Sequence, residues 1–155
     1  MIGRSLGCLK CGNALSNNRC DYCSLPFFEQ YYLGERVGLL SDLISIYKYK
    51  CVRSCALVLA SLLKDKYGAF LDDKIVSPLP TIKRHVRERG FDHMELLAKT
   101  IARGCGGRYK RILMRINSTV QVGASEDMRR KQAENAYRAV DGLDAAGKYV
   151  LIDDV

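Results

Sequence analysis

The chain has 155 residues, with 25 Lys and Arg against 17 Asp and Glu and a formal charge of +8. Apolar residues at 48% and charged residues at 27% are globular proportions, which exclude a disordered, collagen-like or coiled-coil chain. No apolar run approaches the ~20 residues of a membrane helix, and residues 1–11 lack the continuous apolar stretch of a signal peptide, so a cytoplasmic protein of one domain plus a small module is expected.

The first predicted element is a metal module over residues 1–25. Cys8, Cys11, Cys20 and Cys23 read C-x2-C-x8-C-x2-C. Each C-x2-C turn brings two thiolates onto one ion, and two turns supply the four soft ligands of a closed tetrahedral zinc site. Gly12 follows the first pair, where a knuckle uses positive φ. Two disulfides and an iron–sulfur centre are the competing readings. Disulfides fit poorly with a cytoplasmic chain, and structural zinc is the reading this spacing favours. A closed site has no open position, so no chemistry is assigned to it. The module is too short to bury much core, and the metal would replace one.

The aromatics Phe27, Phe28, Tyr31 and Tyr32 follow and are expected to dock the module on the main domain, 26–155. Leu40, Leu43, Ile44 and Tyr47 fall at helical spacing, as do Val52, Cys55, Ala56, Leu59 and Leu63, giving helices over about 36–48 and 51–67. Cys51, Cys55 and Cys105 are expected to be small core residues. Lys74–Ser77 reads as a strand breaking at Pro78-Leu79-Pro80. A basic loop with Lys83, Arg84, His85, Arg87, Glu88, Arg89 and Gly90 comes next. Asp92 and Glu95 stand at capping-box spacing before a helix with Phe91, Met94, Leu97, Ala98 and Ile101 on one face, ended by Gly104, Gly106 and Gly107. Residues 110–116 read as a second strand, 126–135 as a polar helix capped by Ser125, and 148–155 as a buried strand ending in Asp153 and Asp154.

Strands alternating with helices predict an α/β domain with a parallel sheet. Ligands of such sheets bind beyond the carboxyl ends of the strands. One strand here ends in Pro-Leu-Pro and a basic loop, another in two acids, so charges of both signs are expected at one rim. The basic excess is concentrated at 80–115, with ten basic and three acidic side chains, which suggests a phosphate, pyrophosphate or nucleic-acid partner, with a solvated basic face the equal alternative on charge alone. No paired-carboxylate pattern accompanies His85 or His93, so neither is chosen as a catalyst.

These residues resemble a family. The cysteine module, Tyr47-Lys48-Tyr49-Lys50, Ser77-Pro78-Leu79-Pro80, Arg87-Glu88-Arg89-Gly90-Phe91-Asp92, Thr119, Gln121-Val122-Gly123, Arg129-Arg130 and Val150-Leu151-Ile152-Asp153-Asp154-Val155 follow the order of motifs in ComF/GntX-type proteins. Those are zinc-knuckle relatives of type I phosphoribosyltransferases linked to competence and DNA uptake. The resemblance implies a type I phosphoribosyltransferase-like parallel sheet and a site for phosphoribosyl pyrophosphate (PRPP) with Mg²⁺. It places Asp153 and Asp154 at the ribose hydroxyls, directly or through Mg²⁺, and Arg87 and Arg89 at the pyrophosphate. Gln121, Arg129 and Arg130 would belong to a hood over the site. Departures are Ser77 for an apolar residue, Asp92 for Asn, and Gln132, Asn135 and Ala124 near the hood. In the family a Thr/Gly-rich phosphate loop follows the acid pair. This sequence ends at Val155, so the expectation is a chain cut at the start of the PRPP motif and unable to catalyse transfer. The alternative is a non-catalytic zinc-containing competence factor that binds single-stranded DNA or DNA-processing proteins.

Overall fold

The computed structural model describes residues 7–8, 10–23, 29–116 and 136–154. The predicted helix over 126–135 and the residues Phe27, Phe28, Gln121, Arg129 and Arg130 lie outside them. The chain divides into two units, 1–41 and 42–155.

The first unit is built from turns. Gly12 has φ +74°, as the knuckle requires, and its N–H donates to the Cys8 carbonyl at 2.8 Å. Ser16 and Arg19 exchange both backbone bonds at 2.9 Å across Asn17 and Asn18, which take φ 48° and 62°. Two left-handed residues make a tight hairpin turn, a conformation Asn tolerates better than most side chains. The hydroxyls of Tyr31 and Tyr32, expected to dock this module elsewhere, donate within it: Tyr31 to Glu29 Oε2 at 2.5 Å and Tyr32 to the Gly7 carbonyl at 2.9 Å.

The second unit carries a parallel sheet and helices. Helix α1 (Gly38–Tyr49) buries Tyr47 through the predicted stripe. Helix α2 is Cys55–Leu71, later at both ends than expected. The delay follows from Cys51, whose φ of +57° interrupts the helical path. Strand β1 is Ile75–Pro78. The segment expected to be a basic loop is instead helix α3 (Lys83–Arg89), stopped by Gly90 at φ +72°. Its one apolar residue, Val86, gives no periodic signal, so helical spacing could not reveal it. Helix α4 (His93–Gly104) buries Met94, Leu97, Ala98 and Ile101, as its stripe predicts, and Asp92 caps it by accepting from the Glu95 N–H at 3.2 Å.

Within 110–116 the structure has one three-residue strand, and a separate two-residue strand precedes the segment. Strand β2 (Arg108–Tyr109) pairs parallel with β1, and β3 (Leu113–Arg115) pairs antiparallel with β4 (Tyr137–Ala139). Strand β5 (Tyr149–Ile152) also runs parallel to β1, so the three-stranded sheet has the order β2-β1-β5. β5 was expected to be buried, yet Leu151 is 47% exposed. It lies at the edge of this sheet, which is why only part of its surface is covered. α4 packs on β1 and on α2, and the core lies there: Val76, Ser77, Ala98 and Ile101 are fully buried. Ser77 keeps its hydroxyl satisfied by accepting the Ile112 N–H at 3.2 Å. Cys55 and Cys105 are buried as expected, whereas Cys51 is only half-buried.

Candidate functional sites

The first site is the cysteine cluster. The Sγ atoms of Cys8, Cys11, Cys20 and Cys23 all lie within 4.8 Å of one another. The close separations are 3.4 Å for Cys8–Cys23 and Cys20–Cys23, 3.6 Å for Cys11–Cys20 and 3.8 Å for Cys11–Cys23. A zinc–sulfur bond of about 2.3 Å in a tetrahedron separates sulfurs by about 3.8 Å, so the four thiols nearly form the cage before any ion is added. None of the seven cysteines forms a disulfide. Burial opposes ionisation of Cys8, but backbone N–H groups of Lys10 and Cys11, with the neighbouring thiols, lower its pKa to about 6. The Gln30 amide donates to Cys8 Sγ at 3.8 Å, an outer contact that orients a ligand. The cluster is able to bind a metal ion.

The second site is an open cleft of about 530 Å³ in the second unit. It arises from strand register. β1 and β5 run parallel with Pro78 beside Ile152, and the Leu79 N–H donates to the Ile152 carbonyl at 2.9 Å. The residues that follow each strand, Leu79-Pro80 and Asp153-Asp154, therefore emerge side by side. All four line the cleft. The rim expected from the sequence thus forms, at the carboxyl ends of parallel strands.

α3 adds His85, Glu88 and Arg89; the start of α4 adds His93; the end of α1 adds Lys48 and Tyr49; β3 and β4 add Arg115 and Tyr137. Arg87 is exposed and does not line the cleft. Two residues apart on a helix are about 200° apart, so α3 sends Arg87 and Arg89 in opposite directions. The lining carries three cations, Lys48, Arg89 and Arg115, and three acids, Glu88, Asp153 and Asp154. Part of the basic excess of 80–115 is also consumed locally. Arg111 bonds Glu95 at 2.5 Å and Asp92 at 3.4 Å, and Arg84 pairs with Glu88 at 3.2 Å.

Asp154 is the most constrained acid. Its Oδ2 receives Lys48 Nζ at 2.7 Å and His93 Nε2 at 2.8 Å. The Arg89 guanidinium lies 2.8 Å from His93 Nδ1. Tyr47 fixes this corner from below, its hydroxyl donating to the His93 carbonyl at 2.5 Å, which holds α1 against α4 and aims the adjacent Lys48. Asp153 Oδ1 accepts the Asp154 N–H at 2.9 Å, and desolvation, then the Asp154 charge, raises its pKa.

Burial alone would raise the Asp154 carboxyl, but the hydrogen bonds and charges of His93 and Lys48 hold it at about 2, against an ordinary 3.8. A folded pKa below the unfolded one stabilises above the unfolded value and is lost as pH falls through the folded one. The contribution of Asp154, about 2 kcal/mol, is expected to be full above pH 4 and gone near pH 2. Urea unfolding of Asp154→Asn should be less stable than the parent at pH 7, with the gap closing on acidification. A gap unchanged by pH would contradict this ionic account.

Sequence reasoning missed His93 and set no role for Lys48 beyond a motif. Their common partner, Asp154, is 61 residues from His93, and nothing local to His93 signals it. Among the described residues, the four cysteines are the one group of three or more His, Cys, Asp or Glu placed to share a metal. No described helix is long and apolar enough to cross a membrane. No family model, curated protein or solved structure matches this chain.

Proposed function

We propose that the second unit binds a phosphorylated ribose of the PRPP type together with Mg²⁺, and that the four cysteines of the first unit hold a structural zinc ion. The carrying observation is the β1–β5 register, which sets the Asp153-Asp154 pair and the Pro80–Arg89 segment around one cleft. A sugar phosphate needs both charge types. The Arg89 guanidinium suits phosphate oxygens, and the Asp153 carboxylate accepts from ribose hydroxyls. Mg²⁺ takes hard oxygen donors and commonly one or two carboxylates plus ligand phosphates. The Asp153 carboxylate and the second oxygen of Asp154 fit that donor set, with the ligand completing it. Membership of the ComF/GntX-type group, and with it a link to DNA uptake, rests on the order of motifs along the chain.

Calorimetric titration of PRPP into the whole chain, with and without Mg²⁺, tests the reading. Mg²⁺-dependent binding is expected, weakened about tenfold or more, at least 1.4 kcal/mol, by Arg89→Ala and by Asp153→Asn. Arg87→Ala should leave affinity near the parent's. Absence of PRPP binding, with steeply salt-dependent binding of a thymidine oligonucleotide, would overturn the reading in favour of a DNA-binding competence factor.

A further inference from the structure

We propose that the outer face of α2 pairs with the same face of a second copy of this chain, the two helices antiparallel about a two-fold axis. The inference stands apart from the cleft and from the ligand read into it.

α2 is apolar on two sides. One side, with Cys55, Ala56, Leu59, Ala60 and Leu71, is buried, and α2 packs on α4. At about 100° per residue, a second stripe runs along the opposite side: Ser54, Leu57, Val58, Ser61, Leu62 and Asp65. All six are exposed, Leu57 at 65%, Val58 at 49% and Leu62 at 41%. A surface helix of a monomer carries polar groups on that side. Three large apolar side chains in one line, not scattered, mark a surface that an assembly covers.

The order of the stripe says what covers it. Its members follow one another at steps of three, one, three, one and three residues, the same in both directions. An antiparallel pair centred between Leu59 and Ala60 therefore sets Leu57 against the partner's Leu62 and Val58 against the partner's Ser61, each contact occurring twice by symmetry. Ser61 is small, which lets the two helix axes approach closely at the centre. At each end Ser54 meets the partner's Asp65, and that contact is electrostatically complementary. The N-terminal end of a helix carries positive partial charge, and α2 has no acidic residue in its first turn. Ser54, its N-cap, makes no side-chain capping bond, so its hydroxyl donates to the partner's Asp65. The neighbouring cations are turned elsewhere. Arg53 donates to the Gly90 carbonyl at 3.2 Å and lies over the Phe91 ring at 4.9 Å, and Lys66 lies over the Tyr67 ring at 5.2 Å.

One helix pair is a small interface, and the expected dimer is weak, with a dissociation constant on the order of 10 µM. Well below that concentration the chain is monomeric and its folding stability is that of the monomer.

Sedimentation equilibrium of the whole chain reads the association, and a reversible monomer–dimer equilibrium is expected. Leu62→Glu should abolish it up to concentrations about tenfold above the parental constant, with an unchanged melting temperature in dilute solution. Ser54→Asp sets two carboxylates face to face at both ends, and Asp65→Lys removes the acid; each should weaken association about tenfold. The double variant Ser54→Asp/Asp65→Lys restores opposite charges across the axis and should return the constant to within about threefold of the parent's. The two positions are about 16 Å apart along one helix, so the rescue acts between copies. A strictly monomeric parent refutes the proposal; shielding of its Leu57 and Leu62 methyls from a soluble spin probe would then assign the face to another segment of the same chain. A dimer that Leu62→Glu leaves intact, or a double variant no tighter than the weaker single one, refutes it equally.

Discussion

Removal of metal from the cysteine cluster is expected to unfold the first unit outright. Among its described residues only Cys8 and Gln30 are buried, so the described part of the unit has no apolar core to replace the ion. Structural zinc sites of this kind contribute about 10–16 kcal/mol of apparent binding free energy at neutral pH, more than a typical domain's whole stability. One equivalent of zinc should accompany the purified chain. Stepwise chelation, followed by backbone amide resonances, should collapse the dispersion of residues 7–23 while those of β1, β5 and α4 persist. Cys11→Ser should behave like the chelated protein. Dispersed resonances from Cys8 to Cys23 at less than a tenth of an equivalent of metal would sink the idea.

Ile101→Ala carries the second large effect. Ile101 is fully buried on α4, the helix that packs on both α2 and β1. Truncating a fully buried isoleucine costs the transfer of its side chain plus the cavity left behind, about 2–5 kcal/mol, which lowers the melting temperature by on the order of 10 °C in a unit of this size. Leu57→Ala on α2, at 65% exposure, should stay within about 0.5 kcal/mol. Urea denaturation at pH 7 measures both. Equal losses would mean that α4 is not the centre of the core.

Features read correctly from sequence are those whose causes are local. The C-x2-C turns, the Asp92 cap with Glu95 three residues on, the α4 stripe and the β-branched β1 segment each carry their physics within a few residues. α3 escaped because Lys83–Arg89 is almost entirely polar; its stop at Gly90 was the one available sign. Apolar content over 110–116 suggests one long strand, but the strand that pairs with β1 ends at Tyr109, before that segment, and only Leu113–Arg115 within it pairs. The pairing of β3 with β4 requires knowing what stands across from it. The rim of the cleft was legible in outline, since strand ends carried the charges. The exclusive pairing of Asp154 with Lys48 and His93 was not, because it joins three distant elements. Arg87 and Arg89 looked equivalent on a loop, and only a helix separates them.

The central pairing of the sheet joins Ile75 to Tyr149 and Pro78 to Ile152, which bears on how the molecule is made. β1 has no partner at β5 until some seventy further residues have been synthesised, and such non-local parallel pairing is slow to form. The cysteine ligands, by contrast, span only Cys8 to Cys23 and close short loops. During synthesis the metal module has all its ligands early, whereas β1 emerges with its carboxyl-end loop exposed and must wait for the acids that complete the cleft. Assembly of the cleft is therefore a late step of folding, coupled to the arrival of the last described strand.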